Sequence, residues 1–227
     1  MHLRARILAL LCSQASHPFR TRLSQFRRYR SVSSLNAFMS KNLSAISECH
    51  IQLSIDLGCN SVPRNPFNAH SCFGLDVSPF NDPSILRCDI FGEALPFADS
   101  KVSCVTAFDF IEHIPRVVVE SGKTRFPFVD VMNEIYRVLA PGGLFLSYTP
   151  AFPFKEAFQD PTHVNIITED TFPFYFSSGR YSDSPGHGCL YGFRGSFVIL
   201  DQAWHEFRLL TLLKKPMLDT YRSPSQC

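Results

Sequence analysis

The hydrophobic pattern between positions 50 and 150 consists of short apolar runs separated by polar, turn-rich stretches. Five of these runs have the length and composition of buried β-strands. They are Leu53–Leu57, Cys72–Val77, Ile85–Ile90, Val102–Phe108 and Leu144–Tyr148. The fourth run is almost continuously apolar, which is typical of a strand buried on both faces of a parallel sheet.

A helical pattern precedes the fifth run. Within Phe128–Leu139, apolar residues recur at Val131, Ile135 and Val138, which is the spacing of one helix face. Pro141-Gly142-Gly143 follows and is expected to end the helix. Strands that alternate with helices imply right-handed crossovers and therefore a parallel sheet.

Two further runs, Ser196–Leu200 and Phe207–Leu213, are close enough in sequence to pair as an antiparallel hairpin. With the five earlier runs they predict an α/β, Rossmann-like fold: a mostly parallel seven-stranded sheet with helices on both faces and an antiparallel C-terminal edge hairpin. A chain of 227 residues is long enough for one such domain.

Composition divides the chain into a basic arm, residues 1–47, which we expect to be helical, and a domain, residues 48–227. Residues 150–195 within the domain are rich in Phe, Tyr, Pro and Gly. A loop-rich segment of that length is usually functional or disordered, and its aromatic content argues against disorder. Because it follows the fifth strand, we expect this insertion to fold over the cleft as an aromatic lid and acceptor pocket.

The net charge is only +2, but it is unevenly distributed. No acidic residue precedes Glu48, whereas the same stretch contains Arg4, Arg6, Arg20, Arg22, Arg27, Arg28, Arg30 and Lys41. Three interpretations stay open: a signal-like segment with a poor cleavage site, an Arg- and Ser-rich organellar transit peptide, or a basic amphipathic helix that packs on the domain or touches an anionic membrane surface. The third is favoured.

The eight cysteines show neither C-x-x-C pairs nor zinc-ligand spacing. Cys59, Cys88 and Cys104 lie in or beside predicted strands, where they would act as small hydrophobic side chains. This pattern fits a reducing compartment, and we therefore expect a cytoplasmic protein. No apolar run approaches the roughly 20 residues that a membrane span needs.

The strongest chemical signal is an acid and a glycine turn after a buried strand, Ile55-Asp56-Leu57-Gly58-Cys59-Asn60, with a second acid in Gly74-Leu75-Asp76-Val77. Acids at the carboxyl ends of two parallel strands predict a cofactor cleft. The turn lacks the G-x-G-x-x-G pattern that accommodates a pyrophosphate. It therefore suits a cofactor that has a ribose and an ammonium group but no diphosphate.

These residues resemble the first motifs of class I S-adenosylmethionine (SAM)-dependent methyltransferases, whose first loop reads roughly D-x-G-x-G. Five segments resemble the family's motifs in the family's order, over about residues 50–150: Ile55–Asn60, Gly74–Val77, Arg87–Ile90, Val102–Ile114 and Glu134–Gly143. Asn60 stands where the family usually has glycine. Asparagine tolerates the left-handed backbone region, so the turn is expected to survive.

The resemblance implies SAM as the cofactor and assigns roles to several residues. Asp56 would accept hydrogen bonds from the SAM ammonium group, and its alternative role is to cap the following turn. Asp76 would bind both ribose hydroxyls. Asp89 would receive the adenine amino group while Ile90 packs on the ring. The remaining implied cofactor contacts are Gly58 and Asn60 in the first turn and Asp109 beside the methionine part or the reactive methyl, where Asp109 could also orient the acceptor.

His163 is the predicted general base, because histidine titrates near neutral pH and this one follows a Pro-containing turn. Asp160, three residues earlier, could orient it; the alternative is a turn in which both side chains only satisfy backbone groups. Two ligands do not make a metal site, so no metal is expected. Glu112-His113 is expected to shape the loop after the fourth strand.

The sequence thus predicts a SAM-dependent methyltransferase that acts on a small or medium-sized acceptor, at oxygen. The aromatic insertion suggests an apolar, aromatic, lipid-linked or sugar acceptor. No Asn-Pro-Pro-Tyr type of amine-methylation motif follows the fourth strand, and nucleic acid is a disfavoured partner. The alternative is an inactive methyltransferase-fold protein that binds membrane or RNA through its basic arm. An oxidoreductase is disfavoured by the missing dinucleotide glycine pattern.

Overall fold

A computed structural model describes residues 30–177 and 187–217 of the chain. Seven of its strands form one sheet in the order β3-β2-β1-β4-β7-β9-β8. These strands are β1 (Leu53–Leu57), β2 (Ser71–Asp76), β3 (Ile85–Arg87), β4 (Val102–Phe108), β7 (Leu139–Pro150), β8 (Val198–His205) and β9 (Arg208–Lys214). β1 to β4 and β7 run parallel, and β9 pairs antiparallel with both β7 and β8.

The other elements connect or cover the sheet. A separate antiparallel ribbon and four α-helices are described: β5 (Val118–Glu120), β6 (Lys123–Arg125), α1 (Leu35–Lys41), α2 (Leu43–Ser47), α3 (Pro127–Val138) and α4 (Thr171–Tyr175). Short 3-10 helices cover Ile111–His113, Lys155–Ala157 and His187–Tyr191.

The sequence prediction of a mostly parallel seven-stranded sheet with an antiparallel hairpin is confirmed. The predicted bounds of β1 and β4 agree with the structure, whereas β3 ends at Arg87 and β7 already begins at Leu139. Leu139 pairs with Val102, and the register then shifts before Cys104 pairs with Leu144. The Pro-Gly-Gly sequence therefore forms an irregular start of the strand rather than a free loop.

Helix α3 buries its apolar face against the sheet, and aromatic side chains of the 150–195 segment pack around it. Phe128 meets Phe172 and Phe176 edge to face, with ring centroids 6.4 and 5.2 Å apart. Tyr136 meets Phe193 in the same way at 6.0 Å. Much of the aromatic content that the sequence suggested for a lid therefore builds hydrophobic core on this face.

Helices α1 and α2 cover the opposite face of the sheet. Phe38 is fully buried and Ile46 nearly so, in a cluster that includes Leu144, Leu146, Leu210 and Leu212 of β7 and β9. Arg30 and Lys41 form ion pairs with Asp201 of β8 at 2.9 and 3.1 Å. The predicted basic arm lies outside the described residues up to position 29. In the described ranges, no helix is both long and apolar enough to cross a membrane.

The cysteines in and beside the strands behave as small buried side chains. Cys59, Cys88 and Cys104 are buried free thiols. Burial, with the nearby Asp56 carboxylate as a further contribution, raises the pKa of the Cys59 thiol to about 12, so it stays protonated. Cys189 is disulfide-bonded, which the interpretation of a reducing compartment does not anticipate.

Candidate functional site

A cleft of about 390 Å³ opens at the carboxyl ends of the parallel strands. Each of β1 to β4 contributes an acid or amide to it just at or beyond its last residue, because parallel strands present these ends at one edge of the sheet. The polar lining residues at or after these strand ends include Asn60, Asp76, Ser78, Asp89, Asp109 and His113. None of the described residues of the 150–195 segment lines this cleft.

The first turn takes the left-handed backbone that the sequence predicts. Gly58 and Asn60 have φ of 64° and 55°. A Cβ at Gly58 would lie 2.2 Å from Cδ2 of Phe110, so glycine is required for the Phe110 ring to approach. Asp76 closes the turn, since its Oδ2 accepts from the Asn60 amide at 2.9 Å and its Oδ1 from the Ser78 amide at 2.9 Å.

Asp56 lies beneath the cleft rather than on its surface. The residue is fully buried; its Oδ1 accepts from the Thr106 hydroxyl at 2.6 Å and its Oδ2 from the Arg64 amide at 2.9 Å. Burial raises the pKa of the Asp56 carboxyl. These bonds support the turn-capping role that the sequence left open, because they tie β1 to β4 and to the following loop.

Asp89, Ile90 and Phe91 form the wall after β3. Oδ1 of Asp89 accepts from the Phe91 amide at 3.2 Å, and the Phe91 ring stacks against Phe110 with centroids 5.8 Å apart. Ile90 is buried. The wall thus combines a carboxylate with flat apolar surface, which suits a planar group that has an amino substituent.

Asp109 is held by a residue that the sequence analysis did not select. It has φ of 47°, and its two carboxylate oxygens accept from Nε and Nη2 of Arg208 at 2.6 and 3.0 Å. The Arg208 guanidinium also lies over the rings of Tyr148 and Phe207. Arg208 opens β9, 99 positions from Asp109, and no local sequence signal links the two.

Glu112, His113 and His163, here called the rim cluster, meet beside the cleft, which His113 also lines. The His113 and His163 rings are 4.8 Å apart edge to face. Glu112 is 1% exposed, and desolvation raises the pKa of its carboxyl to about 7 although Oε2 accepts from the Thr149 hydroxyl at 2.7 Å. Sequence reasoning favoured a loop-shaping role for Glu112 and His113 over a catalytic one and paired neither with His163.

The neighbours of the rim cluster orient its two imidazoles. His163 Nδ1 lies 3.1 Å from the Glu156 carbonyl oxygen, and His113 Nδ1 lies 3.0 Å from the Thr162 hydroxyl. Asp160 does not bind the His163 ring: its carboxylate accepts from the Thr162 hydroxyl and amide at 2.7 and 2.8 Å. Asp160 therefore acts on His113 through Thr162.

A second cavity of about 270 Å³, here called the aromatic pocket, lies beside helix α3. Its lining residues are Arg116, Val117, Phe126, Phe128, Val129, Thr171, Tyr175, Phe176 and Tyr191. Asn165 connects this pocket to the rim cluster. Its side-chain Oδ1 accepts from Arg116 Nε at 2.7 Å, and its backbone N–H donates to the backbone carbonyl of Glu112 at 2.9 Å.

The cleft residues fit the polar groups of SAM. Asp76 accepts one backbone hydrogen bond at each oxygen, and a carboxylate has about four acceptor positions, so capacity remains for two ribose hydroxyls. The cleft volume lies within the roughly 300–1,000 Å³ of small-ligand pockets. Asp89 and the Ile90–Phe91 surface supply the acceptor and the apolar face that an adenine ring requires.

Comparison with known proteins gives one family match. The family model described as a methyltransferase domain matches residues 55–147. No curated protein matches the sequence significantly. Similar solved structures include a SAM-dependent methyltransferase from Archaeoglobus fulgidus (12% identity, 80% of this chain and 93% of that chain, TM-score 0.49) and a putative type 11 methyltransferase from Sulfolobus solfataricus (13%, 81% and 95%, 0.47). A third is the N-methyltransferase NodS from Bradyrhizobium japonicum WM9 with S-adenosyl-L-homocysteine (11%, 79% and 86%, 0.47).

The matched segment coincides with the part of the fold that builds the cleft. It runs from Ile55 in β1 to Ser147 in β7 and includes the five motif segments on which the sequence resemblance rests. The mostly parallel seven-stranded sheet is the one that the sequence predicted, and acids lie at the ends of its strands. Residues 55–147 therefore match the methyltransferase domain family, which agrees with the class I domain and the SAM cofactor that the sequence resemblance implied.

Proposed function

We propose that this protein transfers a methyl group from SAM to a hydroxyl oxygen of a small or medium-sized acceptor. The observation that carries the proposal is the position of the rim cluster, which shares His113 with the cofactor cleft. Groups that can remove a proton thus lie beside the place where the activated methyl group would be held. Oxygen acceptors need such groups because a hydroxyl must lose its proton during transfer.

SAM supplies the activated methyl group. The protein therefore has to bind and orient SAM and the acceptor, exclude water from the site and remove one proton from the acceptor. Asp76 and Asp89 are proposed to bind the nucleoside part, and Asp109 is proposed to orient the reacting end of the cleft. Arg208 holds both oxygens of Asp109, which keeps that carboxylate in one orientation. The sequence-predicted role of His163 as proton acceptor remains a prediction.

The aromatic pocket supports an acceptor with an apolar or aromatic body. Its walls are mostly aromatic and aliphatic, and the Arg116–Asn165–Glu112 connection places it next to the rim cluster. An acceptor with its apolar part in this pocket could present a hydroxyl group to His113 and His163. Lipid-linked and sugar acceptors, both expected from the sequence, differ in how much of this pocket they would fill.

Labelled SAM tests the proposal directly. The full chain is incubated with methyl-labelled SAM and fractionated cell extract, and mass spectrometry then identifies the labelled product and the methylated atom. We expect an O-methylated small molecule or lipid. An N- or C-methylated product would contradict oxygen transfer, and SAM binding without turnover would support the inactive binding protein instead.

A further inference from the structure

We propose that Glu112, His113 and His163 bind a divalent transition-metal ion, with zinc as the first candidate, and that the ion holds the acceptor hydroxyl. The inference deepens and rests on the proposed function, because it gives the rim cluster a defined part in the same reaction. It departs from the sequence analysis, which predicted no metal site and treated His163 as a free base.

The donor set and its spacing suit such an ion. Two imidazoles and one carboxylate are a common ligand set of catalytic zinc and non-haem iron sites. One ligand atom of each residue lies within 4.8 Å of the other two. Tetrahedral ligands about 2.1 Å from one ion lie about 3.4 Å apart, so closure requires side-chain shifts of about 1 Å. Across residues 30–177 and 187–217, no second group of this kind is found.

The hydrogen bonds outside the rim cluster prepare both imidazoles as ligands. A carbonyl oxygen only accepts, so His163 Nδ1 donates to Glu156 and leaves the Nε2 lone pair available. The Thr162 hydroxyl donates to Asp160, so it accepts from His113 Nδ1 and leaves Nε2 of that ring available too. Metal-bound histidines commonly show this arrangement, in which an outer acceptor fixes the tautomer and the ring orientation.

The buried carboxylate of Glu112 supports the metal site independently of the ligand spacing. Its side chain is 1% exposed, and Oε1 has no hydrogen-bond partner among the described residues, whereas Oε2 is bound by Thr149. A buried carboxylate oxygen without a partner is destabilising, and a cation at the rim cluster would supply that partner. A free base at His163 alone would explain neither this oxygen nor the second imidazole.

Three protein ligands leave a coordination position open, as in catalytic rather than structural metal sites. An acceptor hydroxyl bound there would be more acidic, because the ion stabilises the oxygen anion. Its O–H bond would break with the electron pair staying on oxygen, and the proton would leave to solvent past the exposed Thr162. His163 would then be a ligand and not the proton acceptor.

Cobalt binding tests the site on the full chain. Chelator-treated protein is titrated with Co²⁺, a spectroscopic substitute for zinc, and binding is followed by calorimetry and visible absorption. We expect one tightly bound equivalent, and at least a 10-fold weaker affinity in Glu112→Gln, His113→Ala and His163→Ala. His70→Ala is the matched control, since His70 is an exposed histidine outside the rim cluster.

A second variant separates a built site from two adjacent histidines. Thr162→Val removes the acceptor of His113 Nδ1, together with the bond from that hydroxyl to Asp160, but none of the three ligands, and outer partners of this kind are worth about 10- to 100-fold in metal affinity. Co²⁺ affinity that is unchanged in His163→Ala or Glu112→Gln would overturn the metal site. Calorimetry with SAM on the same proteins separates the two proposals. Weaker Co²⁺ binding in the ligand variants but not in His70→Ala would support the metal site even if the wild type bound no SAM. Absence of SAM binding to the wild type would overturn the proposed function.

Discussion

At the scale of single residues, the cleft depends on a few carboxylates whose surroundings differ. Asp76 is partly exposed and fixed by two amides, whereas Asp56 is fully buried and used within the protein. Sequence reasoning identified both from their place after strands, but it could not distinguish a surface carboxylate from one that closes a loop. That difference is set by Thr106 and Arg64, which reach Asp56 only in the folded chain.

We expect Asp76→Ala to weaken SAM binding by about 10- to 150-fold, which corresponds to the roughly 1.5–3 kcal/mol of hydrogen bonds to a charged group. The reason is the loss of the acceptor for the ribose hydroxyls. Asp82→Ala is a matched control, because Asp82 accepts from the Ser84 amide in the same way as Asp76 does from Ser78 but lies outside the cleft lining. Calorimetry with SAM measures both; equal affinities would remove Asp76 from the cofactor site.

At the scale of elements, helices α1 and α2 act as part of the domain core. The sequence analysis placed a boundary at position 47 because the charge distribution changes there. Charge describes the protein surface, however, and does not show which apolar side chains before this position are buried against the sheet. Phe38 lies against β7 and β9 and is fully buried, while the basic residues Arg30 and Lys41 pair with Asp201. Removal of residues 30–47 would therefore expose apolar surface of the sheet, whereas removal of 1–29 breaks none of these contacts.

Phe38→Ala should lower the free energy of unfolding by about 3–5 kcal/mol, the usual cost of truncating a buried phenylalanine. Leu43→Ala in the adjacent helix is the control, since Leu43 is 63% exposed and surface changes usually stay within about 0.5 kcal/mol. Denaturant unfolding of both variants provides the comparison. Similar midpoints for the two would mean that α1 contributes nothing to the stability of the sheet.

At the scale of the whole molecule, the sheet type and the position of the cleft follow from local sequence signals, because each parallel strand carries its acid at its carboxyl end. The rim cluster was not predictable in the same way. Glu112 and His113 follow β4, while His163 comes about 50 positions later, in a segment whose path periodicity does not define. The aromatic residues of that segment were likewise assigned to a lid, although several of them pack into the core around α3.

SAM should raise the thermal stability of the protein, because it binds the folded state and not the unfolded chain. At SAM concentrations of about 100 times the dissociation constant, the stabilisation is about 2.7 kcal/mol. For a domain of this size we expect an increase in melting temperature of about 5–10 °C. NADH at the same concentration is the control and should have little effect; a larger shift with NADH than with SAM would favour a nucleotide-dependent oxidoreductase.

During synthesis, the ion pair between Asp109 and Arg208 can form only after the motif-bearing strands have been made. Arg208 opens β9, which inserts between β7 and β8, and it follows Asp109 by 99 residues. At about 5–20 residues per second, a ribosome needs roughly 5–20 seconds to cover that distance. Until then the strands that carry the motifs can be complete while the Asp109 carboxylate has no guanidinium to hold it. In a nascent chain, the residues that line the cleft are therefore present before the Arg208 guanidinium that orients the Asp109 carboxylate.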